Sequence, residues 1–175
     1  IVDIDWVKIY DANGNLIYYC DFEENDYYIY NDTEVTQTDS IISVASNPSD
    51  SWGKVTTVSK PFTLGKALRA RVNFKDVVTT ENVQCVTSAI FYNTDDDKNH
   101  TNISQDQDTY PNNLRYCCGN GTDVSFGSFD NQYTDWIRCE IKRLSDASKV
   151  VFVVENDLGE LQEVKELTTN VPNQD

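Results

Sequence analysis

Apolar and polar residues alternate with a period of two along much of the chain. Between Leu68 and Phe74, the residues Leu68, Ala70, Val72 and Phe74 share one face, and Arg69, Arg71 and Asn73 the other. Between Ile137 and Lys142, Ile137, Cys139 and Ile141 alternate in the same way with Arg138, Glu140 and Lys142. Short runs rich in β-branched or aromatic residues occur at 16–19, 41–44, 83–92 and 149–154, which predicts further strands. Turn signals separate them: Asn13-Gly14, Asn47-Pro48, Gly119-Asn120-Gly121 and Asn156 to Gly159. No window sustains a helical period with caps. The pattern predicts an all-β fold, an antiparallel β-sandwich or a barrel.

Two hairpins are readable. Residues 150–154 turn through 155–159 and return along 160–167, and residues 7–10 turn at Asn13-Gly14 and return along 16–20. A third pairing, of 83–92 with 114–118, would enclose the polar stretch 93–113, long for an ordered hairpin loop. The first ten residues change parity. Val2, Ile4 and Trp6 share one face, then Val7 and Ile9 take over the apolar role. A strand does this only through a bulge, here near Trp6, unless Ile1 to Asp5 is an arm that pairs elsewhere. The expected organisation is an exchange arm over 1–5, with Ile1, Val2 and Ile4 as its inserting residues, a sandwich domain over 6–167 and a tail over 168–175.

The segment from Ile4 to Tyr10 resembles the closing strand of concanavalin-like jelly rolls of the laminarinase and lectin type. Residues 133–143 and 150–154 are similar to late strands of that family, and 62–71 to an earlier one. The family's usually terminal strand stands first here, as though the order were permuted or domains were strung head to tail. The resemblance implies a concanavalin-like jelly roll. It also resembles extracellular fibril subunits whose jelly roll is completed by a neighbour's strand, which implies a head-to-tail homopolymer. An open sheet edge accepts such a strand through ladder hydrogen bonds, and a contact that does not close builds a filament.

Charge and cysteines narrow the setting. The 175 residues include 29 acidic and 14 basic ones, a formal charge of −15, which argues against nucleic acid as a partner. No apolar run approaches the roughly 20 residues of a membrane span. Methionine is absent even at position 1, which predicts a processed chain. Sequons begin at Asn31, Asn99, Asn102 and Asn120, the expected glycosylation sites of a secreted, extracellular protein. In that compartment the cysteines are candidates for disulfides. Cys85 is a plausible mate for Cys117 or Cys118, Cys139 suits a second bridge, and Cys20 is the weakest assignment.

Candidate chemistry is sparse. Glu155, Asp157 and Glu160 match the acidic spacing of laminarinase-type hydrolases, but they straddle a turn signal with no Trp nearby in sequence. His100 is the only imidazole and falls in a polar, solvated stretch. Asp95, Asp96, Asp97, Asp106 and Asp108 crowd one stretch, which is either a Ca²⁺ site or a solvated acidic loop. Tyr10, Tyr18, Tyr19, Tyr27, Tyr28 and Tyr30, with Trp52, supply core, interface or sugar-stacking surface. No resident cofactor is expected. The expectation is a non-catalytic structural subunit of an extracellular fibril or cell-surface assembly. A carbohydrate-binding module and a glycoside hydrolase are the alternatives.

Overall fold

The computed structural model describes residues 2–23, 27–30, 35–44, 54–57, 67–73, 86–93, 96–105, 114–133, 135–144 and 146–172. Its elements are strands throughout: β1 (Val2–Tyr10), β2 (Leu16–Cys20), β3 (Tyr27–Tyr30), β4 (Val35–Thr38), β5 (Ile41–Val44), β6 (Lys54–Thr57) and β7 (Ala67–Asn73), followed by β8 (Val86–Asn93), β9 (Asp96–Gln105), β10 (Leu114–Gly119), β11 (Val124–Ser128), β12 (Trp136–Arg143), β13 (Val150–Asn156) and β14 (Leu161–Leu167). Among the described residues every pairing is antiparallel. The larger sheet runs β14-β13-β12-β7-β1-β5-β4, with β2 also on β1, and the smaller is the meander β11-β10-β9-β8. β3 and β6 form a separate two-stranded ladder. Among the described residues no helix is long and apolar enough to cross a membrane.

The two predicted hairpins form as β1–β2 and β13–β14. Their turns place Gly14 and Gly159 at φ of 84° and 83°, a region that favours glycine. The predicted alternation of β12 is seen directly, with Ile137, Cys139 and Ile141 buried between less buried neighbours. The third predicted pairing is corrected. β10 pairs with β9 rather than β8, because 96–105 forms a strand between them where the polar sequence implied a loop.

The parity change in β1 is a bulge. Ile4 stands opposite Val72 and Trp6 opposite Arg71, so Asp5 is the extra residue. Ile4 and Ile9 are therefore both buried, at 8% and 7% exposure, although they are five positions apart, an odd offset that puts two side chains on opposite faces of a regular strand. Residues 2–5, expected as an exchange arm, lie in β1 and pair within their own chain. Val2 to Ile4 face β5, the segment from Val7 faces β2, and β7 runs along the opposite edge.

The two larger sheets meet through aromatic contacts. The Tyr116 ring on β10 lies 5.0 Å from Phe152 on β13 and 5.1 Å, edge-on, from Phe129. Phe129, Phe152, Ile103, Leu114, Ile141 and Val150 form the centre of this core. A side chain at Gly127, across from Tyr116 in the β10–β11 ladder, would collide with the tyrosine ring. Its missing side chain is what lets that ring lie over β11.

Candidate functional site

The larger sheet presents a mixed aromatic and charged face. Register aligns Trp6, Arg71, Arg138 and Glu155 across β1, β7, β12 and β13, and places Tyr19, Lys8, Arg69 and Glu140 in a row two residues away. A pocket of about 120 Å³ opens here, lined by Trp6, Lys8, Tyr10, Arg138, Glu140 and Glu155. The bulge at Asp5 creates this surface: it turns Trp6 out of the apolar parity that its sequence position implied.

Cations hold the rings in place. Lys8 Nζ lies 4.6 Å from the Trp6 ring centroid and 5.0 Å from that of Tyr19. The Arg71 guanidinium stacks 4.1 Å over Trp136. Arg71 also donates from Nε to Asp157 Oδ1 at 2.6 Å and from Nη1 to Asp5 Oδ2 at 2.7 Å. Arg138 Nη2 donates to the Asp157 carbonyl at 2.6 Å. The tip of the β13–β14 hairpin is thereby pinned to the sheet. The hydrogen bond from Arg71 holds the Asp157 carboxyl below its ordinary value, so Asp157 is an anion and a poor proton donor.

The acidic triplet is split by this arrangement. Glu155 lines the pocket, Asp157 belongs to Arg71, and Glu160 Oε2 accepts from Asn156 Nδ2 at 2.7 Å. A tryptophan that local sequence did not offer does stand near Glu155: Trp6 arrives from β1. Trp6, Trp136, Arg71 and Lys8 are the site residues that sequence reasoning missed. A signal was present in the repeated Asp-Trp dipeptides at 5–6 and 135–136, each followed by alternating charge.

Other expected residues are dispersed. Tyr10 lines the pocket, Tyr19 is exposed and Tyr18 packs against the core. Tyr27, Tyr28 and Tyr30 lie on β3, and Trp52 lies outside the described residues. Asp96 and Asp97 open β9, whereas Asp95, Asp106 and Asp108 lie outside the described residues, as does Asn31. Among the described residues no cluster of three or more His, Cys, Asp or Glu side chains forms a metal site. Asn99 and Asn102 are on β9. Asn120 Oδ1 accepts from the backbone N–H groups of Thr122 and Asp123, each at 3.0 Å, in the turn before β11.

The cysteine expectations are corrected where the residues are described. Cys20, Cys117, Cys118 and Cys139 are thiols. Cys117 has Asn102 and Phe126 across from it, Cys118 has Thr101 and Ser125, and Cys139 has Ala70 and Val154. No described cysteine faces another. The vicinal pair does point to opposite faces: Cys118 is buried and donates to the Thr169 carbonyl at 3.4 Å, while Cys117 faces outward. Cys85 lies outside the described residues. His100, expected in a solvated loop, is half-buried on β9 beside Cys117. No protein-family model matches the chain, and no curated protein or solved structure does either.

Proposed function

We propose that the chain is a non-catalytic, glycosylated unit of an extracellular fibril or cell-surface assembly, built as a concanavalin-like jelly roll. Copies join head to tail by exchanging the segment that precedes the Asp5 bulge. The observation that carries this reading is the place of that segment. The first strand of the sequence fills an interior slot of the larger sheet, between β5 and β7. Its contacts include three ladder pairs to β5, two to β7 through Asp3 and Ile4, the burial of Ile4, and a hydrogen bond from Ser43 Oγ to Asp3 Oδ1 at 2.6 Å. All of them are equally available to the same segment of another copy. The bulge interrupts the ladder between Ile4 and Trp6, so the segment can open there while residues 7–10 stay paired with β2.

Locking the segment tests this. Asp3 and Ser43 are directly opposed, within reach of an engineered disulfide. The oxidised Asp3→Cys/Ser43→Cys variant is expected to remain monomeric at concentrations where the wild-type chain forms higher oligomers by size-exclusion and light scattering. Reduction restores assembly. A locked variant that assembles normally, or a wild-type chain that stays monomeric throughout, overturns the reading.

A second reading, a carbohydrate-binding module, is favoured by the face that combines Trp6, Tyr10, Tyr19 and Trp136 with Arg138, Glu140 and Glu155. Such surfaces stack on sugar rings and bond their hydroxyls. On this reading, Trp6→Ala weakens oligosaccharide binding about tenfold or more, equivalent to about 1.4 kcal/mol. A glycan array with no ligand for the wild-type chain dismisses it.

A further inference from the structure

The outward face of the smaller sheet carries chemistry that neither reading uses. His100 and Asn102 are two residues apart on β9 and share a face, and β10 brings Cys117 directly across from Asn102. The Cys117 thiol donates to Asn102 Oδ1 at 3.1 Å, and its Sγ lies 3.5 Å from His100 Nε2. On the other side Cys117 faces Phe126, which is 54% exposed. Arg115 precedes Cys117 by two residues, and its guanidinium stacks 4.7 Å over that same Phe126 ring. On a chain of net charge −15, one half-buried thiol thus meets an imidazole, next to an exposed ring that carries a guanidinium.

This is the setting that activates a cysteine. The thiolate is the nucleophile, and an adjacent imidazole both removes its proton and stabilises the resulting charge. The Asn102 amide oxygen fixes the thiol in place beside the ring by accepting its proton in a hydrogen bond. The remaining described cysteines lack these features. Cys20, Cys118 and Cys139 are at most 2% exposed, and burial pushes the Cys118 thiol up to about 12.

We propose that Cys117 is a nucleophilic thiol that takes up a small disulfide by exchange, with His100 as the group that accepts and returns the proton. His100 takes the thiol proton, and the Cys117 thiolate attacks one sulfur of the incoming disulfide. A new S–S bond forms at Cys117 as the original one breaks. The departing thiolate collects the proton from the His100 imidazolium and leaves as a thiol. One disulfide is consumed and one formed, with no net oxidation. The bulk of the incoming molecule lies over Phe126 and Arg115, which suits a disulfide carrying carboxylates.

The native chain is treated with the anionic aromatic disulfide 5,5′-dithiobis(2-nitrobenzoate), the released thiolate is followed by absorbance, and the adduct is located by fragment-ion mass spectrometry. Cys117 is expected to react at least about tenfold faster than Cys118 and Cys139, which react only once denaturant is added. His100→Gln is expected to slow the Cys117 reaction about tenfold, and Cys117→Ser to abolish that adduct. Wild-type Cys117 reacting no faster than Cys118 and Cys139 overturns the proposal and needs no variant to fold. An unchanged Cys117 rate in a folded His100→Gln chain overturns the role of the imidazole.

Discussion

Phe152→Ala is expected to destabilise the chain by about 3–5 kcal/mol, a large share of the about 5–15 kcal/mol that keeps a typical domain folded. Phe152 is fully buried, and its ring stands 5.0 Å from Tyr116, where the two larger sheets meet. Truncation removes the area it shields from water and leaves a void that flanking strands cannot close, because their spacing is fixed by ladder hydrogen bonds. The loss also reaches Phe129, which touches the same face of the core through Tyr116. Urea unfolding followed by tryptophan fluorescence measures the effect. Leu158→Ala serves as the control: Leu158 is 81% exposed at the β13–β14 turn, and its truncation is expected to change stability by no more than about 0.5 kcal/mol. Comparable losses for the two variants would mean that the sheets do not pack through Phe152.

What could be read from the sequence follows from how strongly each strand is asymmetric. β12 buries every second residue from Ile137 to Arg143, so its alternation is plain. The β1–β2 and β13–β14 hairpins carry glycines where the backbone turns left-handed. β9 gave no such signal. Thr101 and Ile103 are buried, yet Asp97, Lys98, Asn99 and His100 precede them, and the composition reads as loop. What makes β9 a strand is its position between β8 and β10, which satisfies its backbone from both sides. The same reason hid the Cys117–His100 pair, since two residues 17 positions apart meet only once β9 is placed beside β10. The aromatic face was hidden by the Asp5 bulge. Parity assigned Trp6 to the apolar side, and one inserted residue turned it outward against Lys8. A bulge shifts every later residue by one position, so an error of one in the pattern misassigns a whole face.

Glu163→Gln is expected to destabilise the chain at neutral pH by about 1–3 kcal/mol, an effect that fades in acid. The Glu163 side chain is 8% exposed and lies on β14 opposite Val154. Its Oε2 accepts from the Asp130 N–H, and its Oε1 from the Asn131 N–H and the Tyr133 hydroxyl, each at 2.8 Å. Both oxygens are therefore committed as acceptors. Glutamine offers only one, and its amide NH₂ would confront a donor, leaving a half-buried group unsatisfied. Burial by itself raises the Glu163 carboxyl, but the hydrogen bonds from Asp130, Asn131 and Tyr133 outweigh it and the net shift is downward from 4.5. A carboxyl lowered by folding adds stability that is fully present above its unfolded value and is lost as pH falls through its folded one. The wild-type chain should thus lose this contribution below about pH 4.5, whereas the Gln variant has none to lose, so the two unfolding curves converge in acid. The clamp also fixes the segment directly after Phe129, so breaking it loosens a fully buried ring in the core. Melting temperatures of the two chains across the acid range give the result directly. A difference that stays constant with pH would mean that Glu163 acts through its shape and not through its charge.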